Sequence, residues 1–380
     1  MKKFTIVIAG AGGIGRATAL LLRELGDFEA DIYLGDRYES AAKGAWDWVS
    51  KESNRSGKVE YFVMPRKDSD EALDKVLSGA DIILDCLPGN QAPRMARLAL
   101  QHQLHYVNLT EYVKETNEVM EMARNAERGF ILQAGLAPGF INVLVNGLFQ
   151  KFCKDFKVTQ VDSVNMKVGA LTQNACPPYY YGFTWSPVGV ATLYVEPAKI
   201  IRDQQIVIKA SLTERSKLIL HGTEYEEDLT SGGAADLPEA LAGKTRSLDY
   251  KTLRYPGHYE WIESILRQIP YGEDKVQRLQ KKMEELIPAV EDDQVVIYAS
   301  VSGKDQHEHL KILEKYFLIK PLEIGGKTMR AIQATTAAGL AECARLLLTG
   351  KYSGCLLQSQ IDPQPYLSGP FISAVYQSRN

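Results

Sequence analysis

Apolar and polar positions alternate along the first third of the chain in a strand-then-helix rhythm. Short apolar runs at residues 4–9, 31–36, 59–64, 80–86, 105–109 and 130–134 are of strand length. Such near-continuous apolar runs fit strands buried on both faces of a parallel sheet. Residues 70–77, 92–101 and 116–128, and an apolar stretch ending near Leu25, carry the three-to-four spacing of amphipathic helices. Strands joined by helices of this length predict a doubly wound parallel sheet, complete with six strands by about Gly135.

Beyond Lys157 the pattern changes to longer alternating segments, at residues 161–168, 205–212, 216–220, 247–253 and 294–301. Period-two alternation marks a sheet with one face buried and the other exposed or paired in an oligomer. The second half is therefore expected to be α+β with a mostly antiparallel sheet, and residues 230–234 a loop or hairpin tip. A last long helix is predicted over 329–348. Its apolar face is interrupted by Glu342 and Arg345, so it is not expected to span a bilayer.

Composition narrows the class further. A chain of 380 residues exceeds one ordinary core, so two domains are expected. The formal net charge of −3, with both signs interspersed, provides no broad footprint for nucleic acid or an anionic membrane. Cys86, Cys153, Cys176, Cys343 and Cys355 are dispersed without a CxxC pair, which predicts reduced thiols in a cytoplasm and no metal site.

The candidate chemistry begins where the first strand meets Gly10-Ala11-Gly12-Gly13-Ile14-Gly15. Gly10 permits the sharp turn, Gly12 a close approach to a pyrophosphate, and Gly15 close packing of helix on strand. The next strand ends in Asp36, about twenty positions on, the spacing expected for a ribose hydroxyl acceptor. That acidic group favours NAD, whereas the adjacent Arg37 could stack on adenine or attract the 2′-phosphate of NADP. Because ligands of doubly wound folds lie beyond the carboxyl ends of the strands, the later turns are candidates too. Cys86, Leu87 and Pro88 after the fourth strand would face the cofactor, although Cys86 also reads as a small buried hydrophobe. Asn108 and Glu111 follow the fifth strand, Glu111 being either a site residue or a helix N-terminal acid. Pro138 and Gly139 follow the sixth, opening a helix whose free N–H groups could hold a substrate carboxylate.

Three segments then carry a resemblance: GLAPGFINVL at 135–144, PYYYGFTWSP at 178–187 and YKTLRYPGH at 250–258. Together they resemble the saccharopine dehydrogenase family, and most of all its saccharopine reductase and lysine 6-dehydrogenase branch. The resemblance implies a Rossmann domain from residues 1–138 and a returning 329–380, and an inserted domain, 139–328, that binds substrate and mediates homodimer contacts. It also implies pyridine-nucleotide redox chemistry at a carbon–nitrogen bond of an amino acid or amine. Hydride transfer needs two ligands held at near contact, which a cleft between domains would provide. Within the motifs, Arg254 has the bidentate fork for a carboxylate, or it pairs with an internal acid. His258 could exchange a proton near neutral pH, or it caps the following helix. Tyr181 and Trp185 lie in an aromatic run near the substrate, or in core. The leading expectation is a lysine 6-dehydrogenase-like enzyme using NAD. The alternatives are a saccharopine or carboxynorspermidine-type reductase and a non-catalytic dinucleotide sensor.

Overall fold

The computed structural model describes residues 2–51, 57–110, 113–270 and 272–376. The chain divides into two compact units, one of Met1–Val143, Leu322–Met329 and Gln333–Gln377, the other mainly Leu144–Pro321 with Arg330–Ile332.

In the first unit, β1 (Lys3–Ala9), β2 (Glu29–Asp36), β3 (Val59–Val63), β4 (Ile82–Asp85), β5 (His105–Asn108) and β6 (Gly129–Ile131) alternate with five helices. These are α1 (Gly13–Leu25), α2 (Glu39–Ser50), α3 (Glu71–Leu77), α4 (Ala92–Gln101) and α5 (Val113–Ala123). Where a local signal is strong the boundaries follow it. Asp70, for example, caps α3 by accepting from Leu73 N at 2.8 Å. All pairings within this sheet are parallel, and among the described residues it has seven strands, one more than the N-terminal pattern predicts. The seventh, Gly354–Leu356, comes from the C-terminal segment and covers the edge of β6. Ile6, Ile8, Ile83, Leu84 and Val107 are fully buried, as a sheet covered on both faces requires.

The second unit opens within α6 (Phe140–Phe156). Its strands are β7 (Val161–Thr172), β8 (Ala198–Arg202), β9 (Gln205–Lys209), β10 (Ser216–Leu220), β11 (Thr223–Leu229), β12 (Thr245–Arg254), β13 (Asp293–Lys304) and β14 (Leu310–Ile319). They form a sheet ordered β10-β11-β12-β7-β13-β14, with β8 and β9 branching from β12. Every pairing is antiparallel except β12 with β7. Residues 230–234 are a turn between β11 and the short helix α8 (Leu237–Leu241), not a hairpin tip. α7 (Pro187–Val195), α9 (His258–Leu266) and α10 (Lys275–Leu286) share a core of Tyr194, Tyr259, Ile262, Leu279 and Met283. α11 (Ala331–Thr349) then re-enters the first unit from Gln333. Among the described residues no helix is long and apolar enough to cross a membrane.

Candidate functional site

The glycine turn joins β1 to α1 with each glycine held there for a different reason. Gly10 has φ +99°, and a Cβ on it would lie 2.9 Å from the Cys86 carbonyl oxygen. A Cβ on Gly15 would stand 1.8 Å from the Gly10 carbonyl oxygen, so α1 could not lie against the turn. At Gly13 a Cβ would lie 2.7 Å from Gln333 Nε2, the tip of a flexible side chain that can move aside. At Gly12 a Cβ would meet nothing within 4 Å, and the residue is exposed. Nothing among the described residues excludes a side chain there, which fits a backbone left bare for a ligand. Ile14 is half-buried behind it.

Asp36 sits at the carboxyl end of β2, half-buried. Its Oδ2 accepts from Ala11 N at 3.1 Å and its Oδ1 from Tyr38 N at 3.0 Å, so the same carboxylate tethers the glycine turn. Arg37 is exposed and stacks on Tyr38, 4.6 Å from the ring centroid. Cys86 and Leu87 are half-buried against Gly10, while Pro88 is exposed. Burial pushes the Cys86 thiol up, so it stays protonated.

Two sequence expectations are corrected at this edge. Asn108 is buried and engaged within the protein, its Oδ1 accepting from Gln133 N at 3.0 Å and its Nδ2 facing Tyr106 Oη at 3.4 Å. It braces β5 against the following turn and does not offer its amide outward. The amides that open α6 are also taken. Gly139 N donates to Asn142 Oδ1 at 2.8 Å, Phe140 N to the Gly135 carbonyl, Ile141 N to Leu136 and Asn142 N to Gly139. Pro138 and Gly139 are buried, and a Cβ on Gly139 would lie 2.1 Å from Gly135 O. The turn is closed on itself and leaves no free N–H for a carboxylate. Glu111 lies outside the described residues.

In the second unit, β12 delivers Arg254 into the helical core and Gly257, at φ +94°, turns the chain so that α9 starts with His258. A Cβ on Gly257 would strike the Tyr180 ring at 2.8 Å. Arg254 is 1 % exposed and His258 fully buried. Arg254 donates from Nε to Tyr194 Oη at 2.7 Å and from Nη1 to the Leu253 carbonyl at 2.9 Å. Its guanidinium carbon lies 4.8 Å from the Tyr181 ring centroid and 5.6 Å from that of Tyr194. No carboxylate pairs with it among the described residues, so the internal ion pair left open by the sequence is not the one formed.

His258 faces Tyr179 O at 2.7 Å through Nδ1 and Tyr194 Oη at 3.0 Å through Nε2. A carbonyl only accepts, so Nδ1 carries the hydrogen and Nε2 accepts from the tyrosine. Burial, then the neighbouring Arg254 charge, lowers the imidazole to about 3. The expected neutral-pH proton exchange therefore gives way to a fixed neutral ring that orients Tyr194 and, through it, Arg254. It does not cap α9 through its side chain either. Tyr181 is buried, its phenol pushed up by burial, and its Oη makes no hydrogen bond of normal geometry, only a weaker polar approach to the Trp185 side chain. Trp185 is half-buried against the same core. Tyr194, which sequence reasoning missed, is the hinge of this arrangement. It lies 60 residues from Arg254, with no local signal linking them.

A glycine turn between strand and helix with an acid at the end of the next strand, and a second unit holding a buried arginine that meets no carboxylate among the described residues, is the arrangement of a nicotinamide-dinucleotide-binding protein. Residues 6–135 match the saccharopine dehydrogenase NADP binding domain, and residues 135–376 match the saccharopine dehydrogenase C-terminal domain. The chain belongs to the saccharopine dehydrogenase family. It is 27% identical over 228 residues to alpha-aminoadipic semialdehyde synthase of Arabidopsis thaliana, covering 54% of this chain and 20% of that protein. The mitochondrial protein of that name from Bos taurus is 24% identical over 140 residues, 36% of this chain and 15% of that one. The matched region thus spans a fifth or less of those relatives. Across nearly its whole length the fold resembles saccharopine dehydrogenase (L-Glu forming) of Saccharomyces cerevisiae, with TM-score 0.71, 16% identity and 96% of each chain covered. It also resembles homospermidine synthase of Legionella pneumophila, solved with NAD, with TM-score 0.64, 12% identity and 99% and 91% covered.

Proposed function

We propose that the protein is a nicotinamide-dinucleotide-dependent oxidoreductase acting on a carbon–nitrogen bond of a carboxylate-bearing amine, in the manner of a lysine 6-dehydrogenase. The observation that carries the reading is the Arg254 site. A buried guanidinium with no carboxylate partner among the described residues, beside a Tyr181 hydroxyl that makes no hydrogen bond of normal geometry, is an incomplete ion pair that a substrate carboxylate would complete. Arg254 would bind the carboxylate, Tyr181 would donate a second hydrogen bond to it, and the Tyr194–His258 pair would keep the guanidinium oriented. The aromatic faces of Tyr181 and Trp185 would lie along the aliphatic chain. The glycine turn and residues 86–88 would hold a dinucleotide, which would supply hydride exchange at its nicotinamide.

Asp36 at the ribose position favours NAD, because a carboxylate repels a 2′-phosphate. Family membership and the fold likeness to the yeast saccharopine dehydrogenase support saccharopine-type reduction as the second reading, in which NADP would be the partner of Arg37. Nicotinamide absorbance followed with lysine, ornithine, saccharopine and polyamines, each with NAD and NADP, distinguishes them. Oxidation of a free amine is expected to speed up toward alkaline pH, because an ammonium of pKa about 10.4 must lose a proton first. Dinucleotide binding without turnover of any of these substrates would instead support a sensor. A homodimer is the proposed assembly, to be checked by light scattering.

A further inference from the structure

Immediately behind the 86–88 turn lies a buried polar network that the function above leaves unused. Asp85, at the end of β4, is 3 % exposed, and Tyr106 on β5 is fully buried. Tyr106 Oη donates to Asp85 Oδ2 at 2.7 Å, and Leu87 N donates to Asp85 Oδ1 at 3.0 Å. Cys86 N donates to the Ala9 carbonyl at 2.8 Å, so the residues on either side of the turn are tied down. This same turn abuts Gly10, which has room only for a hydrogen beside Cys86 O and Leu87 N.

The network has a second complete arrangement. The Ala92 carbonyl is 3.3 Å from Tyr106 Oη and offers it another acceptor. When Asp85 is ionised, Tyr106 donates to it. When Asp85 is protonated by solvent, its O–H donates to Tyr106 Oη and the tyrosine O–H turns to Ala92. Neither form leaves a donor unpaired, which is what lets a buried carboxyl change charge without unfolding its surroundings. Burial pushes the Asp85 carboxyl up to about 6, while the Tyr106 and Leu87 hydrogen bonds and Arg94 on α4 oppose the rise. Arg94 is held in turn by the Pro65 and Asp68 carbonyls, and the adjacent Cys86 thiol is neutral.

We propose that Asp85 and Tyr106 are positioning residues that fix the 86–88 turn and make the site prefer the oxidised, cationic nicotinamide over the reduced, neutral one. This rests on the dinucleotide reading of the first unit. A carboxylate buried in low dielectric behind the turn stabilises positive charge in front of it, and protonation removes that stabilisation.

Binding of NAD, NADH and ADP-ribose to the full chain, measured by calorimetry from pH 5.5 to 8, tests the proposal. NAD affinity is expected to fall about fourfold between pH 8 and pH 5.5, with NADH and ADP-ribose, which lack the cationic ring, changing less than about 1.5-fold. In Asp85→Asn the NAD profile should be flat at the weaker level. Tyr106→Phe, which removes one donor to the carboxylate, should shift its midpoint to higher pH. A flat wild-type profile, a parallel fall for ADP-ribose, or an Asp85→Asn protein with the wild-type profile would overturn the proposal. The wild-type comparison alone decides if the variants do not fold. Failure of both NAD and NADP to bind at any pH overturns the dinucleotide reading itself, and this proposal with it.

Discussion

Arg254, Tyr194 and His258 form a chain of donors and acceptors in which each member determines the state of the next. Truncating the arginine should act on substrate more than on chemistry. Arg254→Lys keeps a charge but cannot reach Tyr194 and a carboxylate in the same planar geometry. We expect KM for a carboxylate-bearing amine to rise roughly 10- to 100-fold with a smaller change in kcat, as for loss of a charge-assisted hydrogen bond. Steady-state kinetics check this, and an unchanged KM would remove Arg254 from the site. His258 carries a stability prediction of definite sign. Its folded pKa is depressed to about 3 from 6.5. The unfolded chain therefore binds the extra proton between those values, and stability falls as pH drops through that window, by up to about 1.4 kcal/mol per pH unit. Urea unfolding between pH 7 and 4 should show this acid limb in the wild type and a shallower one in His258→Asn. Asp85 slopes the opposite way. Its raised pKa destabilises the fold as pH climbs from about 4 to 6.

At the scale of elements, the strand-to-helix turns divide into those shaped by the protein and those left open to a ligand. Gly12→Ala should melt within about 2 °C of wild type yet lose dinucleotide affinity, since its Cβ enters space the protein does not use. Gly15→Ala should melt several degrees lower, because its Cβ would overlap the Gly10 carbonyl and push α1 off the sheet. Calorimetric melting with a binding titration separates the two, and equal melting losses would mean that Gly12 is structural. The turn opening α6 shows how far such reasoning extends. Its glycine and proline announce a tight turn, but the partners of its amides follow from how Asn142 and the carbonyls of Gly135 and Leu136 fold back. Those partners turned a presumed anion cradle into a closed structural corner.

For the whole molecule, the first unit is completed by the last part of the chain. Gly354–Leu356 pairs with β6, and α11 brings Gln333 to Gly13 and Gly339 to the 134–135 backbone. A chain stopped at residue 328 would expose the β6 edge and uncover that face. It should bind no dinucleotide and aggregate, whereas adding residues 329–380 in trans should restore solubility if the segment docks. Size-exclusion chromatography reports both outcomes. The second unit has its own asymmetry, since one parallel pairing, β12 with β7, lies within an otherwise antiparallel sheet. That pairing puts Arg254 at the end of a central strand instead of at an edge.

By itself the sequence determined the βα rhythm of the first unit, the glycine turn, Asp36 at the end of β2, the change to alternating strands after Lys157 and, through three motifs, the family. Periodicity, backbone conformation at glycine and the spacing of a turn are local properties, legible a few residues at a time. Only the tertiary structure decided which amides were free, that Asn108 is a brace, that Tyr194 links Arg254 to His258, and that a C-terminal strand closes the first sheet. The last two depend on partners 60 or more residues apart, the first two on how a turn folds back on itself and on a partner 25 residues away, and burial reverses ordinary expectations. It keeps a histidine neutral and lets a carboxyl hold its proton near pH 6, while a buried arginine stands on tyrosine and carbonyl contacts with no carboxylate beside it among the described residues.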